Sequence, residues 1–138
     1  QEVEDWDTSK VETMQQMWYA TNFSRAIGSW DTSRVESMYM MFDANPAFNQ
    51  EVGGWDTSRV VSMKKTFQAA MSFNKGIDGW DVSKVGDMKK MFENAHAFDQ
   101  PLGSWNMSKV QSMRLATPRA RSFICASESD ICGPFSGP

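Results

Sequence analysis

Asp7, Asp31, Asp56 and Asp81 recur at intervals of 24, 25 and 25 residues, and Asn106 takes the fifth place. If these positions stack, neighbouring carboxylates come within about 4.8 Å, the spacing of adjacent strands. Like charges that close repel, so something must compensate them. One chemistry is a stripe for divalent cations or a cationic ligand. The other is structural: each Asp accepts hydrogen bonds from the turn that follows it, or pairs with the parallel basic column Lys10, Arg34, Arg59, Lys84 and Lys109. The structural reading is the preferred one, and no metal or cofactor is expected.

Other reactive side chains are scarce. The chain of 138 residues has one His and two Cys against 11 Met, 9 Phe and 6 Trp. With His96 alone, Ser-His-Asp hydrolysis is excluded, and no second His or Cys stands at ligand spacing. His96 is expected on the surface near a helix end, where it meets the helix dipole. Cys125 and Cys132 lie together outside the repeats, and a local disulfide closing a C-terminal cap is the preferred reading. In a reducing compartment the same pair is two free thiols. Asn22-Phe23-Ser24 and Asn106-Met107-Ser108 fit the glycosylation triplet, with Asn22 the better candidate. No catalytic set emerges, and the chain is expected not to be an enzyme. A net charge of −3 argues against a nucleic-acid partner, because phosphate binding needs a concentrated basic surface. No apolar run reaches the roughly 18–20 residues that span a bilayer.

The elements that position these residues come from a repeat. Trp6, Trp30, Trp55, Trp80 and Trp105 each open nearly the same phrase, W-D-T-S-K/R-V-x-x-M-x-x-M-F. Val11, Val35, Val60, Val85 and Val110 follow in register, as do Met14, Met38, Met63, Met88 and Met113. Phe23, Phe48, Phe73, Phe98 and Phe123 form a third column. A fixed period of this length signals a stacked repeat architecture. Counting from each Trp, the apolar offsets +5, +8, +12 and +15 trace one face of an α-helix. Ser9-x-x-Glu12, Ser33-x-x-Glu36 and Ser108-x-x-Gln111 read as capping boxes at its start. Ile27-Gly28-Ser29-Trp30-Asp31-Thr32 reads as a short strand with Ile, Trp and Thr pointing inward. The expected fold is therefore α/β: a right-handed leucine-rich-repeat-like solenoid of about five strand-helix units over residues 1–123, with 124–138 a divergent cap or tail. All six Trp are expected in the core. The Thr8, Thr32 and Thr57 column is one residue wide and inward, so a flat ice-binding array is not supported.

The W-D-T-S-K-V…M-x-x-M-F…F-N-Q phrase resembles the BspA-like leucine-rich surface repeat, described in bacterial and mycoplasma lipoproteins and abundant in algae and other protists. The resemblance covers roughly residues 1–123 and is strongest over 30–54 and 80–103. It implies a surface, adhesion or interaction protein, in a secreted or cell-surface setting, and it brings no catalytic residues with it. Two departures stand out. Gln1-Glu2-Val3 aligns with Gln50-Glu51-Val52, which suggests a piece of a longer precursor. Ala116-Thr117 replace Met-Phe, and Pro118 is expected to break a fifth helix.

The expected function is thus a non-enzymatic module for protein–protein binding or adhesion. The alternative is a structural or linker subunit of a larger assembly in an alga or protist. The candidate contact stripe occupies offsets +9 and +10, expected to be exposed on the helices: Tyr39, Met40, Lys64, Lys65, Lys89, Lys90, Arg114 and Leu115.

Overall fold

The computed structural model describes residues 2–112. Among these residues regular structure is confined to one 3-10 turn, Val3–Asp5, and four single-residue parallel bridges. The α/β expectation is therefore overturned. There is no α-helix, no multi-residue strand and no sheet among the described residues, and the units are not strand-helix units of a leucine-rich-repeat-like solenoid. The repeat itself is built from β-turns.

Unit 80–104 shows the construction. The N–H of Trp80 donates to the Ile77 carbonyl, Val85 to Val82, Met91 to Met88, Ala95 to Phe92 and Phe98 to Ala95. Each bond closes a turn between two residues three apart, and the side chains of all these residues are buried. The corner pairs between them, such as Ser83-Lys84, Lys89-Lys90 and His96-Ala97, stay partly or fully exposed. This explains the misleading periodicity. A chain of turns brings every third residue inward, and a helix face also uses offsets of three and four. Met-Phe at +11 and +12, where Met41-Phe42 and Met91-Phe92 are buried side by side, would also fit one helix face, so the apolar offsets alone do not separate the two.

The backbone N–H groups make the distinction. In a helix the N–H of Phe67 would bond four residues back within its own unit. It donates instead to the Met91 carbonyl of the next unit, 2.9 Å away. The same is true at every second position. Met63, Lys65, Phe67 and Ala69 donate to Asp87, Lys89, Met91 and Glu93, while Thr66, Gln68 and Ala70 close turns at home. The alternation is made by left-handed residues at +10 and +14: Gln16, Ala20, Met40, Ala44, Lys65, Ala69, Lys90 and Asn94 all have φ between 54° and 60°. A helix cannot hold such residues in series. With no helix over these residues, the capping boxes expected at Ser9 and Ser33 have nothing to cap, and His96 has no helix dipole beside it among the described residues.

The core is a set of side-chain columns running along the stack. Phe42, Phe67 and Phe92 stack at 5.5 and 5.9 Å between ring centres, and Phe48, Phe73 and Phe98 at 5.8 Å. The two columns touch within each unit, at 3.8, 4.0 and 4.2 Å. Met38, Met63 and Met88 fill the space beside them, as flexible side chains do in irregular gaps. Trp30, Trp55, Trp80 and Trp105 are buried as expected. Trp6 is not: 40% of it is exposed, because no unit precedes it among the described residues. Trp18 is half-buried against Phe23. Thr8, Thr32 and Thr57 do point inward, and the hydroxyls of Thr32 and Thr57 donate to the next unit's Asp56 and Asp81 carbonyls, each at 3.0 Å.

Candidate interaction surface

The Asp column is a series of turn locks. Asp31 Oδ1 accepts the backbone N–H of Ser33 at 3.0 Å and its hydroxyl at 2.6 Å. Asp7 holds Ser9 and Asp81 holds Ser83 in the same way, and the N–H of Ser58 donates to Asp56. Asn106 does the same for the Ser108 N–H at 3.1 Å, so the role needs an acceptor rather than a charge. The hydroxyl bond first, and the backbone bond second, hold Asp7, Asp31, Asp56 and Asp81 below the ordinary carboxylate range. Repulsion from neighbouring Asp residues works weakly against this at Asp7 and Asp56. Among the described residues no three acidic, His or Cys side chains converge as metal ligands.

The basic column finds a partner that the repeat phrase did not reveal. Arg34 pairs with Glu12 of the preceding unit at 3.2 Å, and Arg59 with Glu36 at 2.8 Å. These carboxylates sit at +6, where the capping boxes placed them on a helix. The visible signal was a Glu at +6 facing a basic residue at +4 one unit later. Arg25 likewise pairs with Glu2 and Glu4. All these pairs are exposed and each contributes little to stability.

The +9 and +10 positions are turn corners, not a helix face. Tyr39 and Lys64 are half-exposed, with the Lys64 ammonium 5.6 Å from the Tyr39 ring centre. Lys89 is exposed. Met40 corrects the expectation of an exposed stripe, because it retains only 9% exposure. Lys65 and Lys90 are half-buried, and Lys90 turns toward a carboxylate. Lys90 Nζ lies 3.2 Å from Glu93, and Lys65 acts on Asp43. Asp43 is buried, and burial pushes its carboxyl above the usual range although Lys65 opposes this. The Gln68 amide donates to Glu93. Among the described residues the +9 column, Gln15, Tyr39, Lys64 and Lys89, is therefore the outward one of the two. The polar row at +13, formed by Asp43, Gln68 and Glu93, was missed because that position varies from unit to unit in sequence.

Among the remaining expected sites, Asn22 is exposed at the corner where the first unit is one residue shorter. Asn106 is exposed too, with its side-chain oxygen held by Ser108. His96 is an exposed corner residue. Arg114, Leu115, Cys125 and Cys132, with Pro118 and the 124–138 tail, lie outside the described residues. No helix among the described residues is long and apolar enough to cross a membrane.

No curated protein and no solved structure matches the chain. One family does, over residues 1–74 and again over 20–129, so that its matches together take in nearly the whole sequence. The chain belongs to that family, described as mycoplasma protein of unknown function, DUF285.

Proposed function

We propose that the chain is a non-enzymatic interaction module that binds protein partners or mediates adhesion in a cell-surface or secreted setting. The observation that supports this reading best is the +9 corner column, in which Tyr39, Lys64 and Lys89 succeed one another along the stack outside the core. Packing does not dictate these side chains, and a regular stack spaces them evenly for an extended partner. The BspA-like resemblance of the W-D-T-S phrase points the same way, toward surface proteins. The acidic overall balance disfavours a nucleic-acid partner.

The test is native purification with mass spectrometry of co-eluting proteins, followed by binding of the identified partner to the parent chain and to a Lys64→Glu/Lys89→Glu variant. A loss of affinity of tenfold or more, at unchanged melting temperature, supports the reading. Equal binding by the variant, or the absence of any partner, overturns this surface. Co-elution in a fixed stoichiometry with a large assembly would instead support a structural or linker subunit.

A further inference from the structure

The basic column at +4 changes its surroundings along the stack. Arg34 and Arg59 are each met by a Glu at +6 of the unit before, Glu12 and Glu36. Lys84 and Lys109 continue the column, but Val61 and Gly86 stand at the facing +6 positions. The register between units holds there. The Gly86 N–H donates to the Val61 carbonyl at 3.0 Å and the Gln111 N–H to the Gly86 carbonyl at 2.9 Å, just as Val61 donates to Glu36. The place that neutralises Arg59 is thus taken, for Lys84, by an apolar side chain that is 53% exposed. Lys84 and Lys109 are exposed, and neither forms an ion pair with a described residue. Asp81 acts on Lys84 from within its own unit, although Ser83 holds its Oδ1. In the fifth unit Asn106 stands at that position, so Lys109 lacks even this.

A second row of ammonium groups runs beside the first, formed by Lys64 and Lys89 at +9. The +7 residues join the rows. The Gln15 amide at +9 donates to the Ser37 hydroxyl of the next unit at 3.0 Å, and the Lys89 N–H donates to Asp87 Oδ1 at 2.9 Å. Units three to five therefore present Lys64, Lys84, Lys89 and Lys109 around the exposed Val61, with Asp87 between the rows. The second unit, residues 30–54, has the opposite sign: Asp31, Glu36, Asp43 and Glu51 against Arg34 alone.

These surroundings select a ligand. The Arg residues of the column, whose planar fork suits phosphate and sulfate, are already taken by Glu12 and Glu36. The bases left over are Lys, compact point charges that suit single carboxylates. A long polyanion that continued along the stack would run onto the acidic second unit and be repelled. Val61 adds a contact that a bare polyanion cannot use. We propose that this lysine ridge is the docking site for a short acidic segment of a partner protein, with carboxylates on the ammonium groups and an apolar side chain on Val61. The proposal rests on the reading of the chain as an interaction module and names the chemistry of its partner.

The test titrates the full 138-residue chain into a short fluorescent peptide of Glu residues around one central Leu, and into the same peptide with Lys for Glu. A single-stranded oligonucleotide of equal charge and phosphatidylserine vesicles are the competing probes. The expected result is saturable binding of the acidic peptide alone, weakening as salt is raised. Lys84→Gln/Lys109→Gln should weaken it at least tenfold. Val61→Glu keeps every lysine and gives Lys84 the partner that Glu36 gives Arg59, and it should weaken binding several-fold. Lys75→Gln changes the net charge equally but lies at +20 against Glu51, and it should leave binding within twofold. Melting temperatures of the variants should match the parent. Absence of saturable binding, full binding by Val61→Glu, an equal loss in Lys75→Gln, or preference for the oligonucleotide or the vesicles overturns the proposal. The interaction reading fails or stands separately, on the native partner and the Lys64→Glu/Lys89→Glu variant.

Discussion

The indole N–H of Trp55 donates to the carbonyl of Ile27, 28 residues earlier, at 3.1 Å. That carbonyl already accepts the backbone N–H of Trp30 at 3.2 Å. One oxygen thus closes a turn in its own unit and fastens the next unit to it. Val3 with Trp30, Val52 with Trp80 and Ile77 with Trp105 repeat the arrangement. This is a reason for Trp rather than Phe at the opening of each unit. Trp55→Phe keeps a ring in the column and removes the N–H. It should cost about 1–3 kcal/mol, the hydrogen bond contributing about 1 of this and the lost ring volume the rest. Chemical denaturation of the two proteins measures it, and a cost near zero would deny the N–H a role.

Ala69 discriminates between the turn-built unit and a helix by the sign of a single substitution. Its φ is 54° and its N–H donates to the Glu93 carbonyl at 2.7 Å. Glycine relieves a left-handed strain of about 1–2 kcal/mol and gives back part of it through the freer unfolded chain. Ala69→Gly should therefore leave stability unchanged or raise it by up to about 1 kcal/mol. In a helix interior the same change costs about 1 kcal/mol. A lowered melting temperature would contradict the turn geometry.

Adjacent glycines at 53 and 54 should respond oppositely. A Cβ on Gly53 would stand 2.5 Å from the Gly76 carbonyl oxygen of the next unit, whereas one on Gly54 meets nothing within 4 Å. Gly53→Ala must push two backbones apart and should cost about 1–3 kcal/mol. Gly54→Ala should be neutral or gain a few tenths of a kcal/mol, up to about 1. Equal melting temperatures for the two variants would show that the units do not approach so closely.

Two kinds of carboxylate give stability opposite slopes with pH. Asp7, Asp31, Asp56 and Asp81 are lowered by their Ser partners, so the stability they contribute is present above the unfolded value near 4 and is lost as pH falls further. Asp43 is raised by burial, so its ionisation opposes folding once pH exceeds the unfolded value. Asp43→Asn should melt a few degrees above the parent at pH 7, with the difference shrinking toward pH 4. Asp56→Asn should retain the turn, as Asn106 does, and reduce the loss of stability in acid. Melting curves from pH 3 to 7 check both, and a parent-like profile in either variant would exclude that residue's role.

The period, the identity of the columns and most of the core were legible in sequence, because side chains that stack on their own equivalents must recur at one spacing. Val85, Met88, Phe92 and Ala95 were expected inward and are buried. The turn locks at Asp31 and its equivalents were also legible, since an Asp two residues before a Ser can bond it locally whatever follows. The backbone between the columns was not. Apolar residues at three- and four-residue offsets satisfy a helix and a chain of β-turns equally, and no local signal says where an N–H will find its acceptor. That choice is made between units. Phe67 reaches Met91, and Lys65 at φ 59° reaches Lys89, only when a second unit lies against the first. The same tertiary contact buries Met40, brings Lys65 near enough to act on Asp43, and leaves Tyr39, Lys64 and Lys89 outside. Sequence alone determined which residues form the columns; the stacking of one unit on the next decided the backbone that carries them, because the carbonyls that complete its hydrogen bonds lie about 25 residues away.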